Sequence, residues 1–209
     1  MNEVLDHYNR FSFLIDAFHD WPYRKARAAA IEEPQLRPGD RVVDLFCGTG
    51  VNFEPLLERI GSTGKVVGVD GSEAMLARAR RRIRRRGLDR DRIELHRVDV
   101  AADRDALREF FIATPQPPKL LMTLALACFP DYEQVYDDIH EMLTEGTRVV
   151  LMEGWFERRS LACRLLDWIG AADCTRQTWK PLEKRLTHYG RRDFPLHFAT
   201  LFVASGTKG

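Results

Sequence analysis

Hydrophobic positions along this chain fall into short β-branched runs separated by longer stretches with helical spacing. The runs at 41–46 (RVVDLF) and 65–70 (KVVGVD) set the rhythm, each carrying a carboxylate and leading into glycine and helix-compatible residues. Runs at 93–99 (IELHRVD), 120–126 (LLMTLAL) and 147–153 (TRVVLME) predict three further strands. Apolar residues recur at helical spacing over 53–60, 73–86, 103–111 and 132–143. Strand alternating with helix in this way predicts an α/β fold, an open and mostly parallel sheet with helices on both faces. Ser72 is placed to cap the helix at 73–86, and Gly87 and Gly146 stand where helices should stop.

The two ends follow other patterns. Residues 2–33 predict one or two helices rich in aromatic side chains (Tyr8, Phe11, Phe13, Phe18, Trp21, Tyr23). Residues 160–188 predict two helices with a turn near 170–175, and 191–203 alternates as a strand pair that includes an edge or antiparallel strand. The PQPP stretch at 115–118 is a stiff loop rather than a boundary. No repeat or low-complexity linker divides the 209 residues, which predicts one domain.

Composition narrows the class. A hydrophobic fraction of 44% with 10% aromatics suffices for a core and argues against disorder. The formal charge of +1 leaves no global field that would steer the chain towards nucleic acid or membrane. The longest apolar run, 120–129, is too short to span a bilayer, and Asn2, Glu3, Asp6 and His7 interrupt any leader-like stretch. Cysteines at 47, 128, 163 and 174 form no CxxC pair, which predicts a reduced, cytoplasmic protein without a disulfide framework or zinc site. No cluster of His, Asp and Asn falls at the strand ends, so no metal is expected.

The sharpest chemical signal is VVDLFCGTG at 42–50, a strand running into a glycine turn that opens a helix. Such a turn lets backbone N–H groups approach a ligand closely. Phe53 stands where the dinucleotide fingerprint needs its third glycine. Asp44, just before the turn, would repel a pyrophosphate but suits a cation, and Asp70 ends the next strand, where it can accept two ribose hydroxyls. A ligand with a ribose and a positive amino group, but no pyrophosphate, fits this set; S-adenosylmethionine has that description.

DLFCGTG, GVDGS and RVDVA, in this order and at strand ends, resemble the successive cofactor motifs of class I S-adenosylmethionine-dependent methyltransferases. The resemblance covers roughly residues 8–156. It implies a Rossmann-like, seven-stranded, mostly parallel sheet, with a helical lid at 1–35, a cofactor-binding core at 36–156 and C-terminal helices and strands at 157–209. It also implies that Asp44, Gly48 and Gly50 surround the methionine part and that Asp70, with the adjoining Gly71, holds the ribose. Met75 would pack on the adenine, Asp99 and the Val100 backbone would meet its edge, and Leu124 would line the methionine side. Tyr8-Asn9, residues 23–26 (YRKA), GTGVNF and MLARAR look like the branch containing ubiquinone/menaquinone and phospholipid or betaine-lipid N-methyltransferases. In that branch an aromatic N-terminal helix covers the cofactor, so Tyr8 and Tyr23 would close the site and Arg24 would bind the cofactor carboxylate. Phe46 departs from the glycine common at its position and offers a ring near the sulfonium.

Methyl transfer is an in-line displacement that asks the protein for alignment and exclusion of water. A neutral amine acceptor needs only a proton acceptor, for which Glu153, His140 and Tyr23 are candidates, with Trp155 available to flank a methylated ammonium. Each has a plainer role open to it: Glu153 as a cap, His140 on a solvent face, Trp155 as core. The favoured activity is methylation of an amine on a phospholipid-type headgroup or other small molecule. C- or O-methylation of a quinone or specialised metabolite, and a non-catalytic cofactor-binding protein, remain open. Nine arginines lie within 78–92, and their expected role is a solvated helix surface, with attraction to anionic lipid as the alternative. No Asn/Asp-Pro-Pro-Tyr follows the fourth strand, and no nucleic-acid partner is expected.

Overall fold

The computed structural model describes residues 23–100, 102–112, 116–170, 172–197 and 199–209. Tyr8 and the aromatic segment around it lie outside these residues. Seven strands form one sheet: β1 (Arg41–Leu45), β2 (Lys65–Asp70), β3 (Ile93–Arg97), β4 (Lys119–Thr123), β5 (Arg148–Trp155), β6 (Leu186–Pro195) and β7 (Thr200–Lys208). Their order is β3-β2-β1-β4-β5-β7-β6. The first five pair in parallel, and β7 runs antiparallel between β5 and β6. Strand order reverses between β1 and β4, so the crevice above their carboxyl ends is the place where sheets of this kind take ligands.

Seven helices are described: α1 (Arg24–Glu32), α2 (Phe53–Arg59), α3 (Glu73–Arg86), α4 (Arg104–Arg108), α5 (Tyr132–Met142), α6 (Leu161–Gly170) and α7 (Lys180–Arg185). Alternation along each strand divides the core between two faces. Val42, Val66, Leu121, Val150 and Val203 pack with α1, α2 and α3, while Val43, Val67, Leu120, Leu151 and Phe202 pack with α4, α5 and α7. The capping of α3 follows its sequence: Ser72 Oγ accepts from Met75 N at 3.2 Å, and Gly87 takes φ 64° and donates back to the last turn. Glu73 at its start and Arg84, Arg85 and Arg86 at its end also suit the helix dipole.

Three expectations change. The fourth strand stops at Thr123 because Leu124 adopts φ 56° and Leu126–Cys128 form a 3-10 turn. The strand expected from Arg191 begins at Leu186; it is an edge strand, largely exposed, so its hydrophobic alternation is weak. Within the proposed lid, α1 packs on the sheet beside β5 and β7, burying Ala26, Ala29, Ala30 and Ile31. Its alanines bring the helix backbone close to the strands, which is packing suited to a core element.

Candidate functional site

The turn after β1 concentrates unusual backbone. Phe46, Gly48 and Gly50 all take the left-handed conformation, at φ 62°, 54° and 74°. The two glycines serve different ends. A side chain at Gly50 would run 2.5 Å from the Phe53 ring, and one at Gly68 on β2 would meet the same ring at 2.7 Å. Phe53 thus occupies the room that a third glycine would leave, and it is completely buried against two bare backbones. A side chain at Gly48 would meet no atom of the described residues within 4 Å. Phe46, half-buried beside it, rests its ring 5.4 Å from that of Phe129 beyond β4. That pair bridges the reversal point of the sheet.

Asp44, near the end of β1, is fully buried. Asn52 Nδ2 donates to its two oxygens at 3.1 and 3.2 Å, and lies 3.1 Å from Thr123 Oγ1. Arg27 Nη1 donates to Asn52 Oδ1 at 2.8 Å. Burial raises the Asp44 pKa to about 7 against the opposing pull of Asn52 and Arg27. Sequence reasoning placed Asp44 and Arg24 at the ligand. The structure buries Asp44 against Asn52, leaves Arg24 exposed, and brings Arg27 to Asn52 beside the turn. The signal was available, because Tyr23 and Arg27 are four apart and share a helix face.

Asp70, at the end of β2, bonds the turn directly. Its Oδ2 accepts from Gly48 N at 2.9 Å and its Oδ1 from Ser72 N at 2.8 Å. Desolvation raises its pKa despite those two bonds. Gly71 follows half-buried, and its carbonyl accepts from Arg97 Nε at 3.4 Å. Met75 is buried in the first turn of α3 and Val100 is buried after β3. Asp99 is half-buried, its carbonyl accepting from Ala102 N and Asp103 N.

The third wall is the loop after β4. Leu124, half-buried, donates its N–H to Met152 O at 2.8 Å. Glu153, buried on β5, accepts from Ala125 N at 2.7 Å and Ala127 N at 3.3 Å through Oε1, so its carboxyl organises this loop. Burial raises its pKa to about 7. From the other side, Asp173 N donates to Ala127 O at 2.9 Å and Arg176 also bonds that carbonyl. Tyr23 joins here: burial raises its pKa first, Cys174 and Glu153 raise it further, and Arg27 opposes. Trp155 stacks edge-on against Trp179, 5.3 Å away.

His140 is separated from the other candidates. It is buried on α5, and its Nδ1 lies 3.4 Å from Lys208 Nζ. Lys208 adjoins Thr207, the partner of Arg148 at the start of β5, so His140 sits at the amino end of the strands, away from the crevice. Its expected solvent face is also corrected, since α5 turns it inward. Burial, then Lys208 and Arg185, lower its pKa.

A reversed parallel sheet, a glycine turn without a pyrophosphate fingerprint and a carboxylate closing β2 define a class I S-adenosylmethionine-dependent methyltransferase. Residues 36–185 match the methyltransferase domain family, and the chain belongs to it. It is 44% identical over 93 residues to the 23S rRNA (uracil(1939)-C(5))-methyltransferase RlmD of Azoarcus sp. (strain BH72), covering 44% of this chain and 20% of that protein. It is 36% identical over 85 residues to the 2-phytyl-1,4-naphtoquinone methyltransferase of Trichormus variabilis, covering 39% of this chain and 37% of that one. The chain therefore spans a fifth to about two fifths of these relatives' length. Among solved structures, Haemonchus contortus phosphoethanolamine N-methyltransferase 2 superposes with a TM-score of 0.73 at 13% identity, over 98% of this chain and 60% of that one. A methyltransferase from Aquifex aeolicus gives 0.64 at 16% identity, over 93% and 97%.

These relatives correct one expectation: the exclusion of nucleic acid falls, because the 44%-identical relative is a 23S rRNA methyltransferase. The cofactor is S-adenosylmethionine. The crevice suits it, with space beside Gly48 free of atoms of the described residues and the Asp70 carboxylate at the turn. No helix among the described residues is long and apolar enough to cross a membrane.

Proposed function

We propose that this methyltransferase acts on a nitrogen acceptor, an amine on a phospholipid-type headgroup or other small molecule, at the mouth of β4 and β5. What supports this reading is the buried Glu153 carboxyl holding the β4 loop, with Tyr23 and Leu124 of that loop packed against one apolar cluster. Bound S-adenosylmethionine would supply the electrophilic methyl group, with Asp70 and the Gly48 turn as its seat. Tyr23, whose raised pKa keeps the phenol protonated at neutral pH, orients the amine by accepting an N–H bond. Glu153, poised at about 7, takes the released proton. Phe46, Phe129 and Trp155 keep water from the acceptor nitrogen.

Transfer of labelled methyl from S-adenosylmethionine into a cell extract, followed by solvent partition, tests the acceptor. Label migrating with aminophospholipid or a water-soluble amine supports the reading. Label confined to quinone or to rRNA contradicts it. An RNA acceptor is the second reading, favoured by the 23S rRNA relative.

A further inference from the structure

Helix α3 carries seven arginines against one carboxylate, Glu73, in a chain whose formal charge is +1. The rest of the chain is therefore net acidic, and positive charge is concentrated on this helix. Met75, Leu76, Ala79 and Ile83 are buried towards the sheet. This packing turns Arg78, Arg81, Arg82, Arg85 and Arg86 to a common flank, where their side chains enclose a cleft of about 280 Å³.

Part of this cluster serves the fold. Arg82 Nε bonds Thr49 O in the cofactor turn at 3.0 Å, and Arg86 Nη1 lies 3.7 Å from Glu54 Oε2. Arg80, on another side, pairs with Glu73 at 2.6 Å. Arg81 and Arg85 are exposed and take part in no ion pair among the described residues. Like charges one turn apart repel. The helix dipole offsets this for the last turn, Arg84 to Arg86, but not for Arg81. The repulsion between Arg81 and Arg85 is relieved when a polyanion enters the cleft beside them, with bidentate bonds to phosphate oxygens.

We propose that this cleft binds the phosphate backbone of a nucleic acid, whichever acceptor the active site methylates. Arginines recurring with each turn, at a pitch of about 5.4 Å, form a track along which successive phosphates can lie. The lining has neither aromatic rings for stacking nor amides for base edges, so binding is blind to sequence. A membrane surface fits less well. Helices that dock on lipid combine cations with apolar side chains, and the exposed large apolar residues Ile112, Leu161, Leu165, Trp168 and Leu196 all lie off α3.

Fluorescence anisotropy with a labelled single-stranded RNA oligonucleotide, across a salt series, tests this. The full chain is expected to bind at low salt. The Arg81→Gln/Arg85→Gln pair should lose at least about tenfold in affinity and flatten the log–log salt slope by about 1.4, the share of two phosphate contacts. Arg108→Gln/Arg158→Gln, with the same charge loss at exposed sites elsewhere, should bind like the parent. Unchanged binding of S-adenosylmethionine by every variant verifies the fold. The proposal is overturned if the Arg81/Arg85 pair binds RNA like the parent, or if both pairs lose affinity equally. It is also overturned if the parent binds no RNA, including the case in which it sediments only with phosphatidylglycerol vesicles.

Discussion

Arg27 Nη1 lies 2.8 Å from Asn52 Oδ1, which latches the helix before the first strand to the residue that follows the glycine turn. The same amide turns its Nδ2 to both oxygens of the buried Asp44. One neutral side chain therefore mediates between a cation from α1 and a desolvated carboxylate on β1. Asn52→Leu should leave Asp44 without the Asn52 amide donor and break the bond from Arg27. Unfolding by urea is expected to show a loss of about 2–3 kcal/mol, the cost of stranding buried polar groups.

Asp44 and Glu153 should make stability fall as pH rises. Both have folded values near 7 because of burial, against about 4 when unfolded. Their protonated forms favour the folded state, so that stability is complete below about 4 and is lost as pH climbs through 7. Urea unfolding measured from pH 5 to pH 8 should show stability declining by roughly 5 kcal/mol for the two groups together. Glu153→Gln should flatten the decline; an unaltered slope would separate Glu153 from it.

Gly48 and Gly50 should respond differently to alanine. At Gly50 the new methyl runs into the Phe53 ring, so Gly50→Ala is expected to cost about 2 kcal/mol or more in folding. At Gly48 no atom of the described residues is in the way, so the backbone term of about 1 kcal/mol is expected to dominate, while the methyl enters the cofactor's space. Calorimetry should find the greater loss of melting temperature in Gly50→Ala. The greater loss of cofactor affinity per unit of stability should appear in Gly48→Ala.

Phe46 holds a left-handed backbone that glycine would adopt without strain. Its ring stays in place against Phe129. Phe46→Gly should therefore weaken binding of the sulfonium form by a few fold, the scale of an exposed cation–π contact. S-adenosylhomocysteine, which lacks that charge, should bind nearly as before. Equal losses for both ligands would assign Phe46 to shape alone.

Much of this was legible because it is local. The glycine turn, Asp70 at a strand end and the Ser72 cap each depend on a few consecutive residues, and the spacing of residues 65–70 and 73–86 matches the observed elements. Arg24 was preferred over Arg27 because the phase of α1 was not used, although Ala26, Ala29 and Ala30 already mark its buried side. His140 could have been set aside on topology, since a helix returning from β4 to β5 carries its last turn to the amino end of the strands. The bond from Glu153 to Ala125 was not readable, because it joins residues 28 apart through the β4–β5 pairing. The charge cluster on α3 was visible as sequence, but its convergence on one cleft required side-chain positions.

The seat of the cofactor is tested most directly by titrating S-adenosylhomocysteine into the parent chain and into Asp70→Asn in a calorimeter. Asparagine keeps one acceptor for the amides of Gly48 or Ser72 but loses the charge and the second acceptor needed for two ribose hydroxyls. The account expects binding by the parent and at least a tenfold loss in the variant, measured well below the melting temperature of both proteins, because the amide that loses its acceptor also lowers stability. Equal affinity in the two proteins would contradict it and move the cofactor away from the turn that Phe46, Gly48 and Gly50 build.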